Sequence, residues 1–390
     1  MEEAGAAKAA MVHAPGRANA HSRGGRASLR GDGRLRPLFF SPFPVHLTLL
    51  VPELIWPEPG DALTLAQLPA EHFSWLTGRA SFQLQPASAH EACLLALCQA
   101  AGRNMAQLRG LGECSALSLG ANTLCADPVH LRFHQERIVL ADAGAFPLDE
   151  SEASALLAAL NDEFSDLGRF HLGDARRWYL ELHAPLPHAA APLSRVAGRR
   201  LDGEIDNKTT PLYRWLNEAQ MFLHQHPVNV ARSGRGEPAI NSLWLWGEGH
   251  VAPYTLPFDA IYADDPLARG LAAAAGLTAE NLPHSAETVL ASGRQRPLVY
   301  LDSLLPGVLY ENPEGWQQAF AALESAWFAP LRRQLGKTLQ RLDLLAPTVY
   351  GTLHWSLAGS ARWHFWQRGR SPQQLALALA GPATPQGMTP

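Results

Sequence analysis

The sequence predicts an α/β protein built on a doubly wound, mostly parallel sheet, with an α+β unit inserted into it. First, short apolar runs alternate with helical patterns late in the chain. They run from Ser242–Trp246 through Pro266–Ala275, Pro297–Leu301 and Trp316–Leu335 to Leu342–Leu345, the order of repeated β-α-β units. Second, the middle of the chain reads strand, strand, helix, strand, which does not fit that alternation. Third, 390 residues of 47% hydrophobic composition can bury a large core and suggest two or more domains.

Residues 1–37 carry seven Lys/Arg against three Asp/Glu and almost no large apolar groups, so they read as a disordered basic tail. At Val45–Val51 a β-rich apolar run stops at Pro52, as a buried first strand should. The prolines of Pro52–Pro59 exclude helix interior, which places Glu53 on a loop at the carboxyl end of that strand. Leu63–Leu76 and Ala89–Ala101 follow as helices by 3.6-residue spacing, completing a first core segment at 38–119.

The inserted unit is expected over 120–210. Asp127–Arg132 and Arg137–Leu140 read as strands, Asp149 opens a helix with an acidic first turn that ends near Phe164, and Arg177–Leu182 is another strand. A helix over Pro211–His226, with Leu212, Trp215, Leu216, Ala219 and Leu223 on one stripe, leads into the second core segment, 211–370. Residues 371–390, rich in Pro, Gln and Ala, read as a flexible tail.

A formal charge of −4 and a pI near 6.5 give no global attraction to nucleic acid or anionic lipid, so neither is an expected partner. Cys93, Cys98, Cys114 and Cys125 form no Cys-x-x-Cys pair and lie in apolar company, which fits reduced, buried thiols. No apolar run approaches the roughly 20 residues of a membrane span, and the N-terminus lacks a secretory core, so the expected location is the cytoplasm.

The densest polar chemistry lies between His224 and His250. His226, Asn229 and Arg232 could converge on an anion if the chain after Pro227 folds back, with Arg232 forking onto a phosphate or carboxylate. The same residues also serve as helix-exit and turn chemistry. Trp244 and Trp246 precede Gly247 and Gly249, where a loop could approach a ligand near Asn241 and His250, although aromatics at period two also fill sheets. Near the end, Trp355, Trp363, Phe365 and Trp366 with Arg362, Arg368 and Arg370 suggest a packed hairpin or a protein-partner surface. Glu53, Asp302, Glu311 and His354 are the candidate metal ligands, in no recognised spacing. No Gly-x-Ser-x-Gly elbow or P-loop occurs.

Asp127-Pro-Val-His-Leu-Arg132, the Asp149-Glu-Ser-Glu-Ala helix start, Arg177-Trp-Tyr-Leu180, His226-Pro-Val-Asn229 and Trp244-Leu-Trp-Gly-Glu-Gly249 together resemble archaeal-type cofactor-independent phosphoglycerate mutases, of the alkaline phosphatase superfamily. His46–Pro59, Cys125–Arg132, Glu218–Met221 and Asn241–Gly247 resemble bacterial RpfE-type regulatory proteins over nearly the whole folded chain. The resemblance implies an alkaline-phosphatase-like fold with an inserted domain. It also implies two metal ions and a phosphate-carrying serine, and there the chain departs. Val51-Pro-Glu-Leu-Ile-Trp56 stands where those mutases have an Asp-Gly turn, Asp302 lacks its Asp-x-x-Gly-His histidine, and Leu342-Asp-Leu-Leu345 lacks another.

The expectation is a phosphoglycerate-mutase-like regulatory or ligand-sensing protein without metal-dependent catalysis and without a cofactor. Its cleft would be built from Arg132, Asn229, Arg232 and Asn241, beside His226, Trp246 and His250, and would take a small phosphorylated or carboxylate metabolite. The alternative is a working mutase or phosphotransferase that binds manganese or magnesium through Glu53, Asp302, Glu311 and His354.

Overall fold

The computed structural model describes residues 44–113, 117, 119–134, 137–186, 190–198, 211–364 and 366–381, all within one unit spanning 40–390. The expected basic tail at 1–37, Cys114 and Phe365 lie outside the described residues. In chain order the strands are β1 Val45–Leu50, β2 Ser81–Gln85, β3 Thr123–His134, β4 Arg137–Asp142, β5 Gly168–Asp174, β6 Arg177–Leu182, β7 Ser242–Trp246, β8 Ala260–Tyr262, β9 Pro297–Tyr300, β10 Leu339–Thr348 and β11 Gly351–Ala358.

Six of them form the larger sheet in the order β2-β11-β10-β1-β9-β8. Strands β10, β1, β9 and β8 are parallel, and β11 and β2 extend the sheet by antiparallel pairing. The expected mostly parallel core is therefore present, and its central strand explains the apolar run that announced it. Leu47 and Leu49 of β1 point into a layer with Phe73, Trp316, Phe320 and Phe328, whereas Leu50 points into the opposite layer with Leu94, Leu267 and Leu271. The apolar residues of β1 thus serve both faces, while His46 is exposed and Thr48 half-buried.

A second sheet runs β4-β3-β6-β5, with β7 also paired to β3, all antiparallel. It packs against the helices Glu150–Glu163 and Pro211–Gln225 around Leu156, Leu160, Trp178, Trp215 and Leu223. This sheet also takes a strand expected in the parallel one. Ser242–Trp246 belongs to this sheet, not to the parallel one, because all five residues pair with Cys125–Val129. An isolated apolar pentapeptide carries no sign of which sheet will accept it, and the second sheet draws on chain well past residue 210.

Other elements also differ from expectation. The helix expected over Leu63–Leu76 is two, Ala62–Leu65 and Glu71–Arg79, with Pro69 between them. Pro227 starts a helix, Pro227–Gly234, as an N1 proline fixed in a helical φ, and His226 Nδ1 caps it by accepting from Val228 N at 3.3 Å. The tail expected to be flexible holds the helix Pro372–Ala380, capped by Ser371 and Gln374, with Leu375 and Ala376 in the core; only 382–390 lie outside the described residues. Strands β2, β5 and β8 and the helix Met105–Glu113 are additional. That helix crosses Pro266–Ala274 so closely that a Cβ on Gly112 would sit 1.8 Å from Pro266 O, and one on Gly270 1.7 Å from Leu108 O. Only glycine permits this contact.

Candidate functional site

At the carboxyl ends of β1 and β10 the chain bounds a small cleft. This is where open α/β sheets place ligands, because helices leave the strand ends uncovered. Pro52 and Glu53 follow β1, Pro347 and Thr348 close β10, Leu305 follows β9, and Ser88–His90 open the helix His90–Leu97. Ser194 and Arg195 reach in from the short helix Leu193–Val196.

Glu53 is held in this wall by its backbone. Its N donates to Pro347 O at 2.9 Å, and its carbonyl accepts from Trp316 Nε1 at 2.9 Å. Its φ of 55° is a left-handed conformation that costs a non-glycine residue free energy, and its side chain is buried. Opposite it, His90 Nδ1 lies 2.7 Å from the Tyr300 hydroxyl, and His90 Nε2 lies 3.4 Å from Glu91 Oε1. Ser194 Oγ donates to Glu91 Oε2 at 2.8 Å, which ties the short helix to the cleft.

Two further carboxyls stand behind His90. Burial pushes Asp265 up to about 6, with Asp302 and Glu91 adding to the rise and His90 opposing it. Burial also raises Asp302. Asp265 caps the helix Pro266–Ala274 by accepting from Ala268 N at 2.9 Å. Against these acids Arg195 is the guanidinium of the cleft lining, and it makes no ion pair with a described residue.

The four candidate metal ligands do not converge. His354 lies on β11 with Nε2 3.3 Å from Asp343 Oδ1, and Glu311 is exposed in the bend after the helix Leu305–Leu309. Among the described residues no three His, Cys, Asp or Glu side chains are grouped so as to hold a metal ion. A two-ion centre needs several such ligands around each ion, and the donor set at these strand ends does not fit one.

The polar residues between His226 and His250 lie elsewhere, around the second sheet. Asn229 Nδ2 donates to Leu223 O and Ile240 O, both at 2.8 Å, and Asn229 Oδ1 accepts from Ile240 N at 2.8 Å. Arg232 donates to Pro238 O and Pro147 O at 2.8 Å, pairs with Glu152, and is 1% exposed. Asn241 clasps the backbone of Leu131, accepting at 2.7 Å and donating at 2.8 Å. Trp246 Nε1 donates to Asp127 Oδ2 at 2.7 Å. Arg132 and His250 are exposed. The structure does not gather these side chains into a cleft, because most of their hydrogen-bonding capacity is spent inside the fold. The residues the sequence reading missed are His90, Ser194, Arg195 and Asp265. Asp265 precedes the helix expected from Pro266, and its N-cap position is the only local signal it carries.

No family model matches the chain. It is 31% identical over 165 residues to a 2,3-bisphosphoglycerate-independent phosphoglycerate mutase of Methanothermobacter thermautotrophicus, covering 39% of each chain. It is 27% identical over 160 residues to the corresponding Methanosarcina mazei enzyme, covering 37% of this chain and 38% of that one. The matches thus span less than two fifths of the length of these curated relatives. A solved structure of a Pyrococcus horikoshii protein superposes with a TM-score of 0.51 at 13% identity, over 85% of this chain and 92% of that one. The chain is thus similar to these phosphoglycerate mutases at low identity over part of its length, and it shares the mixed α/β fold of the Pyrococcus horikoshii protein. Among the described residues no helix is long and apolar enough to cross a membrane.

Proposed function

We propose that this chain is a cytoplasmic regulatory or ligand-sensing protein of phosphoglycerate-mutase-like fold, which binds a small phosphorylated or carboxylate metabolite and does not carry out two-metal phosphoryl transfer. The observation that carries this reading is the cleft at the ends of β1 and β10, whose lining brings the Arg195 guanidinium to the strand ends where open α/β sheets place ligands. Arg195 supplies a forked cation for the anionic group, and the Ser88 hydroxyl lies in the same lining, while the hydroxyls of Ser194 and Thr348 donate to Glu91 and to the Gly351 carbonyl and hold the walls in place. Glu53 stands buried in the wall of the same cleft. The resemblance to RpfE-type regulatory proteins supports the same role.

The second reading is a working mutase or phosphotransferase with manganese or magnesium, which the similarity to named mutases favours, holding the ion through ligands other than the dispersed set Glu53, Asp302, Glu311 and His354. One experiment separates them. Protein purified without chelator is analysed for metal by mass spectrometry, assayed for interconversion of 3- and 2-phosphoglycerate with added manganese, and unfolded thermally with and without 3-phosphoglycerate. Little metal, no turnover and stabilisation lost in Arg195→Ala support the sensing role. Near-stoichiometric metal with turnover overturns it.

A further inference from the structure

The larger sheet ends at β2, Ser81-Phe-Gln-Leu-Gln85, whose five residues are all exposed. One side of β2 pairs with β11 from Ser81↔Ser356 to Gln85↔Thr352. Among the described residues its other side meets no strand. Such an edge presents unpaired backbone donors and acceptors, and folded proteins guard it with charge, proline, a bulge or a cover. β2 carries no charged residue and no proline, and its register with β11 is unbroken.

The apolar layer beneath the sheet is also unfinished here. Leu353 and Trp355 of β11 belong to the core layer with Phe73, and their partners on β2 are Leu84 and Phe82. The Phe82 and Trp355 rings lie 5.4 Å apart, so the layer runs outward to Phe82 and Leu84. These two are 46% and 52% exposed, where the layer ends in water.

We propose that β2 is a homodimer edge, taking β2 of a second copy as an antiparallel strand about a two-fold axis through Gln83. The sequence pattern selects this occupant. Reversed about Gln83, Ser-Phe-Gln-Leu-Gln sets Phe82 opposite the second copy's Leu84 and Ser81 opposite its Gln85, while Gln83 faces its own counterpart. Apolar meets apolar on one face and polar meets polar on the other, with no like charges opposed. The two large sheets become continuous, and the apolar layer closes over Phe82 and Leu84 of both copies.

The test is the mass of the full chain by sedimentation equilibrium over a broad concentration series. The expected result is twice the 42.3 kDa chain mass, reverting to the single-chain mass in Leu84→Lys and in Phe82→Lys, both at exposed positions. Gln83→Cys should give a disulfide-linked dimer under mild oxidation, which reports the axis even if a lysine variant misfolds. A native chain that stays monomeric throughout overturns the proposal, as does a dimer that both folded lysine variants retain.

Discussion

Arg109 forks onto Asp127 with its two terminal nitrogens 2.7 and 2.8 Å from the carboxylate oxygens, both side chains buried. The pair joins the helix Met105–Glu113 to β3. Arg109 Nε donates to the Tyr179 hydroxyl at 3.0 Å, and that hydroxyl donates onward to Glu113 Oε1 at 2.9 Å. Trp246 Nε1 shares Asp127 Oδ2, and Arg109 lies over the Tyr179 and Trp246 rings. Since the same helix crosses Pro266–Ala274 beside the larger sheet, this network fastens the second sheet to the first.

Removing one member of that pair strands a buried charge, whereas replacing both does not. Asp127→Ala should lower the unfolding free energy by about 3–5 kcal/mol in urea titration. Asp127→Leu combined with Arg109→Met should recover most of the loss. A loss below about 1 kcal/mol for Asp127→Ala would show that water reaches the guanidinium and that the network is weak.

Asn229 links the helix Pro211–Gln225 to the chain entering β7 through three hydrogen bonds in a buried setting. Asn229→Ala leaves the carbonyls of Leu223 and Ile240 and the Ile240 amide short of partners. It should cost about 2–3 kcal/mol in urea unfolding with no ligand present. If stability is unchanged and only metabolite binding falls, Asn229 serves the ligand.

The parallel core was legible because β9 is buried throughout and reads as a continuous apolar run, and because β1, although His46 is exposed and Thr48 half-buried, is β-rich and ends on the buried pair Leu49 and Leu50. The helix Glu150–Glu163 was legible through Asp149, whose side chain accepts from Glu152 N, and through its acidic first turn. β2 was not, because an exposed edge strand has no buried face to impose a pattern. β7 was recognised as a strand but assigned to the wrong sheet, since pairing with β3 is settled by contacts over 100 residues away. The site suffered more. Asn229, Arg232 and Asn241 looked like ligand donors by residue type, but type does not reveal that backbone groups already occupy them. His90 and Arg195, over 100 residues apart, had no local signature to mark a shared cleft.

The helix Pro372–Ala380 depends on its cap. Ser371 Oγ accepts from Gln374 N at 3.2 Å, and Gln374 Oε1 accepts from Ser371 N at 3.0 Å. Ser371→Ala removes one of these and should destabilise the helix by about 1 kcal/mol, seen as roughly five-fold faster amide exchange at Leu375 and Ala376. Exchange at β1 should not change. Unaltered exchange at Leu375 would mean that its burial, not the cap, holds the helix.

Asp265 sets a pH dependence whose sign follows from its burial. Its ordinary value is 3.8, and in the folded chain it is pushed up to about 6, so between these values the folded state holds a proton that the unfolded state has released. Stability from this group therefore falls as pH rises from about 4 through 6, and is fully present only below the unfolded value. Asp265→Asn keeps an oxygen to accept from Ala268 N but carries no charge. Relative to the native chain it should gain on the order of 2 kcal/mol at pH 7 and nothing at pH 4. Urea titrations of both proteins at the two pH values check this. A gain of equal size at both would assign the effect to packing, and a loss at pH 7 would mean that the ionised carboxylate is needed where it stands, beside His90.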